Sequence, residues 1–129
     1  MMMRSHASAP GKLVVAGDYA VLEGAPAVVL ALDRRAQVDV TPCADATFCV
    51  DAADLGVRGI HGRFDGGQLH WDTDRATAGK LALVTCVLRA LAQSAAPDPV
   101  HVTLDTRAFF DAGGSAKLGL GSSAALTVA

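Results

Sequence analysis

Apolar positions recur along this chain with two different periods. Between residues 36 and 41 they alternate, Ala36, Val38 and Val40 against Gln37, Asp39 and Thr41, which is the period of a half-buried strand. That stretch closes a longer Val- and Leu-rich run, AVVLALDRRAQVDVTP. A shorter apolar run, KLVVAG, comes before it, after Pro10-Gly11, which reads as a turn releasing Lys12 at the start of a strand. Gly24 to Pro26 has turn chemistry, so the two runs are expected close together in one sheet. ATFCVD and GQLHWD read as edge strands, and the glycine-dense RGIHGRFDGG between them reads as a loop or hairpin. VHVTLD is a further strand with Val100, Val102 and Leu104 on one face. The helical period shows most clearly from Thr77 to Ala92. Leu81, Val84, Leu88 and Leu91 fall at helical spacing there, with Thr73 or Thr77 as caps and Pro97 beyond the end. The final apolar run, after LGLGSS, reads as a helix beginning, about two turns of it.

Composition narrows the class. A chain of 129 residues suits one domain with its own core, and 51% hydrophobic residues exclude a disordered chain. The formal charge of −2, without a basic block, argues against a nucleic-acid or anionic-membrane surface. The most apolar stretch, Leu13 to Leu32, carries Asp18 and Glu23 and is broken by Gly17, Gly24 and Pro26, so it does not read as a membrane span. The start, MMMRSHASAPGK, lacks the apolar core of a secretory signal. Cys43, Cys49 and Cys86 are odd in number and lack metal-ligand spacing, so they read as free thiols of a reducing compartment. The expectation is a cytoplasmic α/β protein.

The sharpest chemical feature is Gly119-Leu120-Gly121-Ser122-Ser123-Ala124-Ala125. Glycines permit positive φ and let backbone N–H groups converge without Cβ atoms in the way. Helix formers follow, so those amides would sit at a helix N-terminus, whose partial positive charge attracts phosphate. Ser122 and Ser123 could cap the helix, bind a phosphate oxygen or reach Mg2+. A plain glycine turn with a serine cap is the simpler reading of the same residues. A dinucleotide fingerprint is a poor match, because FFDAGGSAK is no buried strand and no acidic residue stands about 20 positions on. A Walker A loop lacks its closing Gly-Lys-Ser/Thr. A nucleophile elbow lacks its last glycine, since Ala125 stands there.

A second feature opens the chain: Ala9-Pro10-Gly11-Lys12, then Gly17-Asp18-Tyr19-Ala20-Val21-Leu22-Glu23-Gly24. Lys12 alone would pass for a solvated strand lysine. Gly17 and Asp18 interrupt an apolar run, which suggests a backbone that approaches something closely.

Taken together and in this order, the two features resemble the first and second signature motifs of the GHMP kinases. G-D-Y-A-V-L-E and the loop lead-in Lys117-Leu118-Gly119-Leu120-Gly121 are most similar to the phosphomevalonate kinase branch, with mevalonate kinases next. The resemblance implies a two-layer α/β (α+β) fold, a mixed β-sheet covered by helices with the phosphate loop at a helix N-terminus. It also implies that residues 1–129 are the N-terminal, ATP-binding domain, incomplete at its C-terminal end and without the family's C-terminal domain.

The activity it implies is transfer of the ATP γ-phosphoryl group to 5-phosphomevalonate, with Mg2+, doubtful for this length alone. Gly119, Leu120, Gly121, Ser122, Ser123 and Ala124 would bind the ATP phosphates, with Ser123 holding Mg2+. Lys12 and Lys117 would neutralise charge, and Asp18 and Tyr19 would line the acceptor side. Lys117 also reads as a solvated loop charge. Another GHMP acceptor such as mevalonate, a non-catalytic nucleotide-binding module and a ligand-free remnant stay open. So does pairing with a separately encoded C-terminal half or a second copy.

Overall fold

The computed structural model describes residues 3–94 and 97–129; Met1 and Met2 of the opening stretch lie outside them. Six strands form one sheet: β1 (Ser5–Ala16), β2 (Val28–Pro42), β3 (Phe48–Ala52), β4 (Val57–Asp65), β5 (Gln68–Trp71) and β6 (Val100–Asp105), in the order β1-β2-β6-β3-β4-β5. β3 runs parallel to β6 and antiparallel to β4, and β4 antiparallel to β5, so the sheet is mixed. Among the described residues three α-helices accompany it: α1 (Arg75–Lys80), α2 (Ala82–Ala92) and α3 (Ser122–Val128). No helix among the described residues is long and apolar enough to cross a membrane. The chain divides into two compact units, one taking the chain up to Ala7 with Val38–Asp105, the other Ser8–Gln37 with Thr106–Ala129.

In the first unit, alternation sets the burial. Phe48, Val50 and Ala52 of β3, with Val100, Val102 and Leu104 of β6, are buried, while Cys49, Asp51 and His101 take the half-buried opposite face. β3 lies between β6 and β4, so it is an interior strand and not the edge strand expected of ATFCVD. The glycine-rich stretch is β4 itself, joined to β5 by Gly66-Gly67, both at positive φ as a two-residue hairpin turn of type I′ requires. Gly62 is paired with Trp71, and a Cβ on Gly62 would lie 2.5 Å from the indole ring. The indole N–H donates to Thr85 Oγ1 at 2.8 Å, tying β5 to α2.

The expected single helix from Thr77 is two. Asp74, rather than Thr73 or Thr77, is the cap: its carboxylate accepts from the Ala76 and Thr77 N–H groups at 2.8 and 3.0 Å. Leu81 leaves helical geometry (φ −92°, ψ 9°) and separates α1 from α2. Leu81, Val84 and Leu88 are buried as their spacing predicts, whereas Leu91 is exposed.

The second unit has a core of small residues around one ring. Ala9, Ala36 and Ala125 surround the fully buried Phe109, and Leu120, Leu126 and Ala129 pack against them. Arg34 and Arg35 leave β2 to bond the Ala108 carbonyl (2.7 Å) and Ser8 (2.9 Å to both Oγ and O).

Candidate functional site

Pro10, Gly11 and Lys12 do not form a turn; all three lie inside β1. β1 ends the strand order, where a proline is tolerated because no ladder bond is demanded of its missing N–H. Gly11 is buried against Phe109 and the Leu120 carbonyl. Its lack of a Cβ lets β1 come within bonding distance of the glycine loop, and the Lys12 N–H donates to Leu120 O at 2.9 Å. The Lys12 stem then lies over Gly121, where an added Cβ would stand 3.0 Å from Lys12 Cγ. The two motifs far apart in sequence meet here through one hydrogen bond and one missing side chain.

Gly119 and Gly121 both adopt positive φ, 69° and 73°. Space around Gly119 is open, so only its backbone conformation calls for glycine; at Gly121 conformation and the Lys12 stem both do. Gly121 is the N-cap of α3 and brings no side-chain cap bond. The first helical bond runs from the Ala125 N–H to Gly121 O at 3.0 Å. The N–H groups of Ser122, Ser123 and Ala124 therefore have no acceptor within the helix, as at any helix start. Ser122 is buried and Ser123 exposed, so of the two hydroxyls that of Ser123 is open to a ligand. An exposed oxygen donor of this kind is compatible with Mg2+, which takes oxygen ligands and shares them with phosphate.

The lead-in is held by a residue the motif reading did not single out. Asp111 accepts from the Ser115 and Ala116 N–H groups at 2.8 and 3.1 Å, and its own N–H donates to Ala116 O at 2.9 Å. Those N–H groups, Ala116's foremost, hold the Asp111 carboxyl below the usual carboxylate range. Asp111-Ala112-Gly113-Gly114-Ser115, an Asp close before a Gly-Gly-Ser run, is the signal that could have found this turn. Beyond it Lys117 bridges Phe110, the Leu118 N–H donates to Phe109 O at 2.8 Å, and the Lys117 side chain is exposed.

Asp18 and Tyr19 are both exposed, and their backbone bonds close within their own turn. The Ala20 N–H donates to Asp18 O at 2.7 Å, and Tyr19 between them has φ 61°, ψ −41°: a γ-turn of the rare positive-φ kind. What Gly17 approaches closely is the chain itself. At φ 83° its missing Cβ leaves room for Pro26 O and Ala27, which would otherwise lie at 2.4 and 2.7 Å.

A strand lysine thus lies against a glycine-rich helix start in a chain built on a mixed sheet. The chain is 36% identical over 132 residues to a phosphomevalonate kinase of a Streptomyces species, covering 94% of this chain and 35% of that one. It is 29% identical over 128 residues to the mevalonate kinase of Pyrococcus furiosus, covering 98% and 37%. Among solved structures, the Lin0012 protein of Listeria innocua matches with a TM-score of 0.72 at 28% identity, over 98% of this chain and 34% of that one. Streptococcus pneumoniae phosphomevalonate kinase, solved with phosphomevalonate and AMPPNP, matches in fold with a TM-score of 0.63 at 17% identity, over 96% and 34%. No protein-family model matches the chain. In fold and in sequence the chain matches the N-terminal domain of the GHMP kinases, on their mevalonate and phosphomevalonate kinase branches. It spans about a third of the length of these relatives.

Proposed function

We propose that this chain supplies the ATP-phosphate-binding part of a mevalonate-pathway kinase whose acceptor is 5-phosphomevalonate. The observation that carries the reading is the contact between Lys12 and the Leu120-Gly121 backbone at the start of α3. It sets a cation beside three N–H groups without helical acceptors, an arrangement suited to phosphate oxygens. In this reading Gly119 to Ala124 receive the nucleotide phosphates. Lys12 neutralises charge beside them, and the Ser123 hydroxyl is the group to hold Mg2+. The chemistry Mg2+ would supply there is neutralisation of charge on the phosphates. Catalysis of this kind is largely positioning and charge neutralisation, so backbone amides and lysines suffice on this side of the reaction. The analogue AMPPNP in the pneumococcal phosphomevalonate kinase supports ATP as donor.

The choice of acceptor rests on Lys117. A phosphate acceptor approaching the γ-phosphate meets repulsion of about 3 kcal/mol per pair of unit charges at roughly 5 Å and an effective dielectric near 20. A neutral hydroxyl meets none of it, so a second exposed lysine beside the loop favours the charged acceptor. Mevalonate is the second reading, favoured by the similarity to the Pyrococcus mevalonate kinase.

Titration calorimetry with Mg-ATP and then with each acceptor tests both levels. ATP heats that vanish in Gly121→Val, and phosphomevalonate binding tighter than mevalonate that depends on Lys117, are the expected results. ATP binding unchanged in Gly121→Val would remove the loop as the site. A preference for mevalonate would leave the kinase reading and overturn the acceptor.

A further inference from the structure

The half-buried face of the first unit's sheet carries a cluster that the phosphate loop does not use. β3 and β6 are parallel with Cys49 opposite His101, and Asp51 stands two residues on from Cys49, hence on the same face. On the other flank His61 of β4 is the register partner of Cys49. Its ring is exposed and its Nδ1 lies 3.3 Å from Thr47 Oγ1. The ligand atoms of Cys49, Asp51 and His101 all lie within 4.8 Å of one another.

We propose that Cys49 Sγ, Asp51 Oδ2 and His101 Nε2 bind a borderline-soft divalent cation, Zn2+ above all, as a three-ligand site joining β3 to β6. Donor chemistry selects the ion. A thiolate, an imidazole and one carboxylate oxygen are the Zn2+ set, whereas Mg2+ and Ca2+ want oxygen throughout. Distances also fit. Tetrahedral bonds of about 2.0–2.3 Å require ligand atoms roughly 3.4–3.6 Å apart. The His101–Asp51 hydrogen bond, 2.6 Å, must then open by somewhat under 1 Å, and since no two ligand atoms lie more than 4.8 Å apart, none need close by more than about 1.4 Å. Side-chain rotation on fixed strands supplies both.

The site has an outer shell too. The Gly59 N–H donates to Asp51 Oδ1 at 2.7 Å, which orients the carboxylate and leaves Oδ2 toward His101. With the side chains of His101 and Asp51 36% and 33% exposed, the cluster is open to solvent on one side, where a water would complete the tetrahedron. Burial and the neighbouring Asp51 charge push the Cys49 thiol up, so it is protonated at neutral pH. Binding therefore breaks its S–H bond as the S–Zn bond forms and releases that proton to solvent.

A cross-strand His–Asp pair is common on its own; the third donor in the same row is what makes a ligand set. The test is cobalt and zinc titration of the whole chain in a Cys86→Ser background, which removes the exposed thiol of α2. Co2+ should bind at one equivalent with a thiolate-to-metal charge-transfer band, and Zn2+ should displace it. Cys49→Ser should abolish the band, and His101→Ala should weaken Zn2+ by roughly a hundredfold, at least the loss seen when only an outer-shell partner is removed. Should either variant fail to fold, the unaltered pair still decides. Absence of the charge-transfer band at millimolar Co2+, or zinc affinity within threefold of the parent in a folded Cys49→Ser or His101→Ala, would overturn the site.

Discussion

Replacing Gly11 by alanine measures how closely β1 is seated on the glycine loop. A Cβ at this position would stand 2.5 Å from Cε1 of Phe109 and 2.8 Å from the Leu120 carbonyl oxygen. Neither neighbour can yield easily: the ring is fully buried, and the oxygen is backbone that already accepts from Lys12 at 2.9 Å. Overpacking of this kind costs about 1–3 kcal/mol. Moving the strand back to relieve it would stretch the Lys12 bond, a further loss of about 0.5–1.5 kcal/mol. Alanine's smaller backbone entropy returns about 0.5–1 kcal/mol. The net loss is about 2 kcal/mol, which moves a urea midpoint down by roughly 1 M at an m-value near 2 kcal/mol/M. Denaturation followed by far-UV circular dichroism reads it directly. A midpoint within about 0.2 M of the parent, the range of a neutral surface change, would show that β1 does not approach the loop as described and would remove the contact on which the functional reading rests.

Gly79→Ala supplies the opposite sign: it lies in α1 with nothing within 4 Å of an added Cβ, so the same assay should show a gain of about 0.5–1 kcal/mol. Asp51 answers to pH. Burial raises its carboxyl, but the Gly59 N–H and His101 together outweigh that and leave it below its ordinary value. The stability it adds is therefore present above the unfolded carboxylate pKa of about 3.9 and lost as pH falls through the folded value. With chelator present, the gap between parent and Asp51→Asn should close as pH drops from about 5 toward 3, and a gap that stays constant would refute the assignment. Tyr19→Gly should raise stability by about 1 kcal/mol, the release of about 1–3 kcal/mol of positive-φ strain less about 0.5–1 kcal/mol for glycine's backbone entropy, and on the proposed function it should weaken acceptor binding; calorimetry and denaturation on one sample check both halves.

Local rules carried the sequence reading where structure is decided locally. Alternation at Val100, Val102 and Leu104 named one face of β6, the buried one, and the glycine density of RGIHGRFDGG offered a loop or hairpin where the β4–β5 hairpin turns, because the period of a pleat and the φ of a turn are properties of neighbouring residues. Reading failed where a long-range partner decides. Pro10-Gly11 has turn composition, yet an edge position tolerates the proline and Phe109 needs the glycine to be small, so the segment stays in β1. ATFCVD reads as an edge strand, but pairing with β6 on one side and β4 on the other puts it inside the sheet. The same pairing sets Cys49 opposite His101, a juxtaposition that depends on register between distant strands and leaves no spacing motif. Motif resemblance found the glycine loop; only the fold brings Lys12 to it.

Gly17 and Tyr19 separate two reasons for an unusual residue in one motif. Both sit at positive φ, 83° and 61°. At Gly17 the backbone of Pro26 and Ala27 occupies the space a side chain would need, so glycine is what the turn requires and no ligand need be invoked. At Tyr19 the logic reverses. The turn would be served better by glycine or asparagine, since a bulky residue there costs about 1–3 kcal/mol. The ring does not offset this by packing, because the residue is 78% exposed. The turn's own hydrogen bonds, from Ala20 to Asp18 O and from Leu22 to Tyr19 O, are all backbone and would form equally well with glycine. Among the described residues no packing contact calls for an aromatic at this position, while a ring held out on a fixed backbone beside Asp18 is what the proposed acceptor-binding turn would present. Strain observed at Tyr19 and explained at Gly17 makes Tyr19, of the two, the residue whose side chain the proposed function assigns to the acceptor.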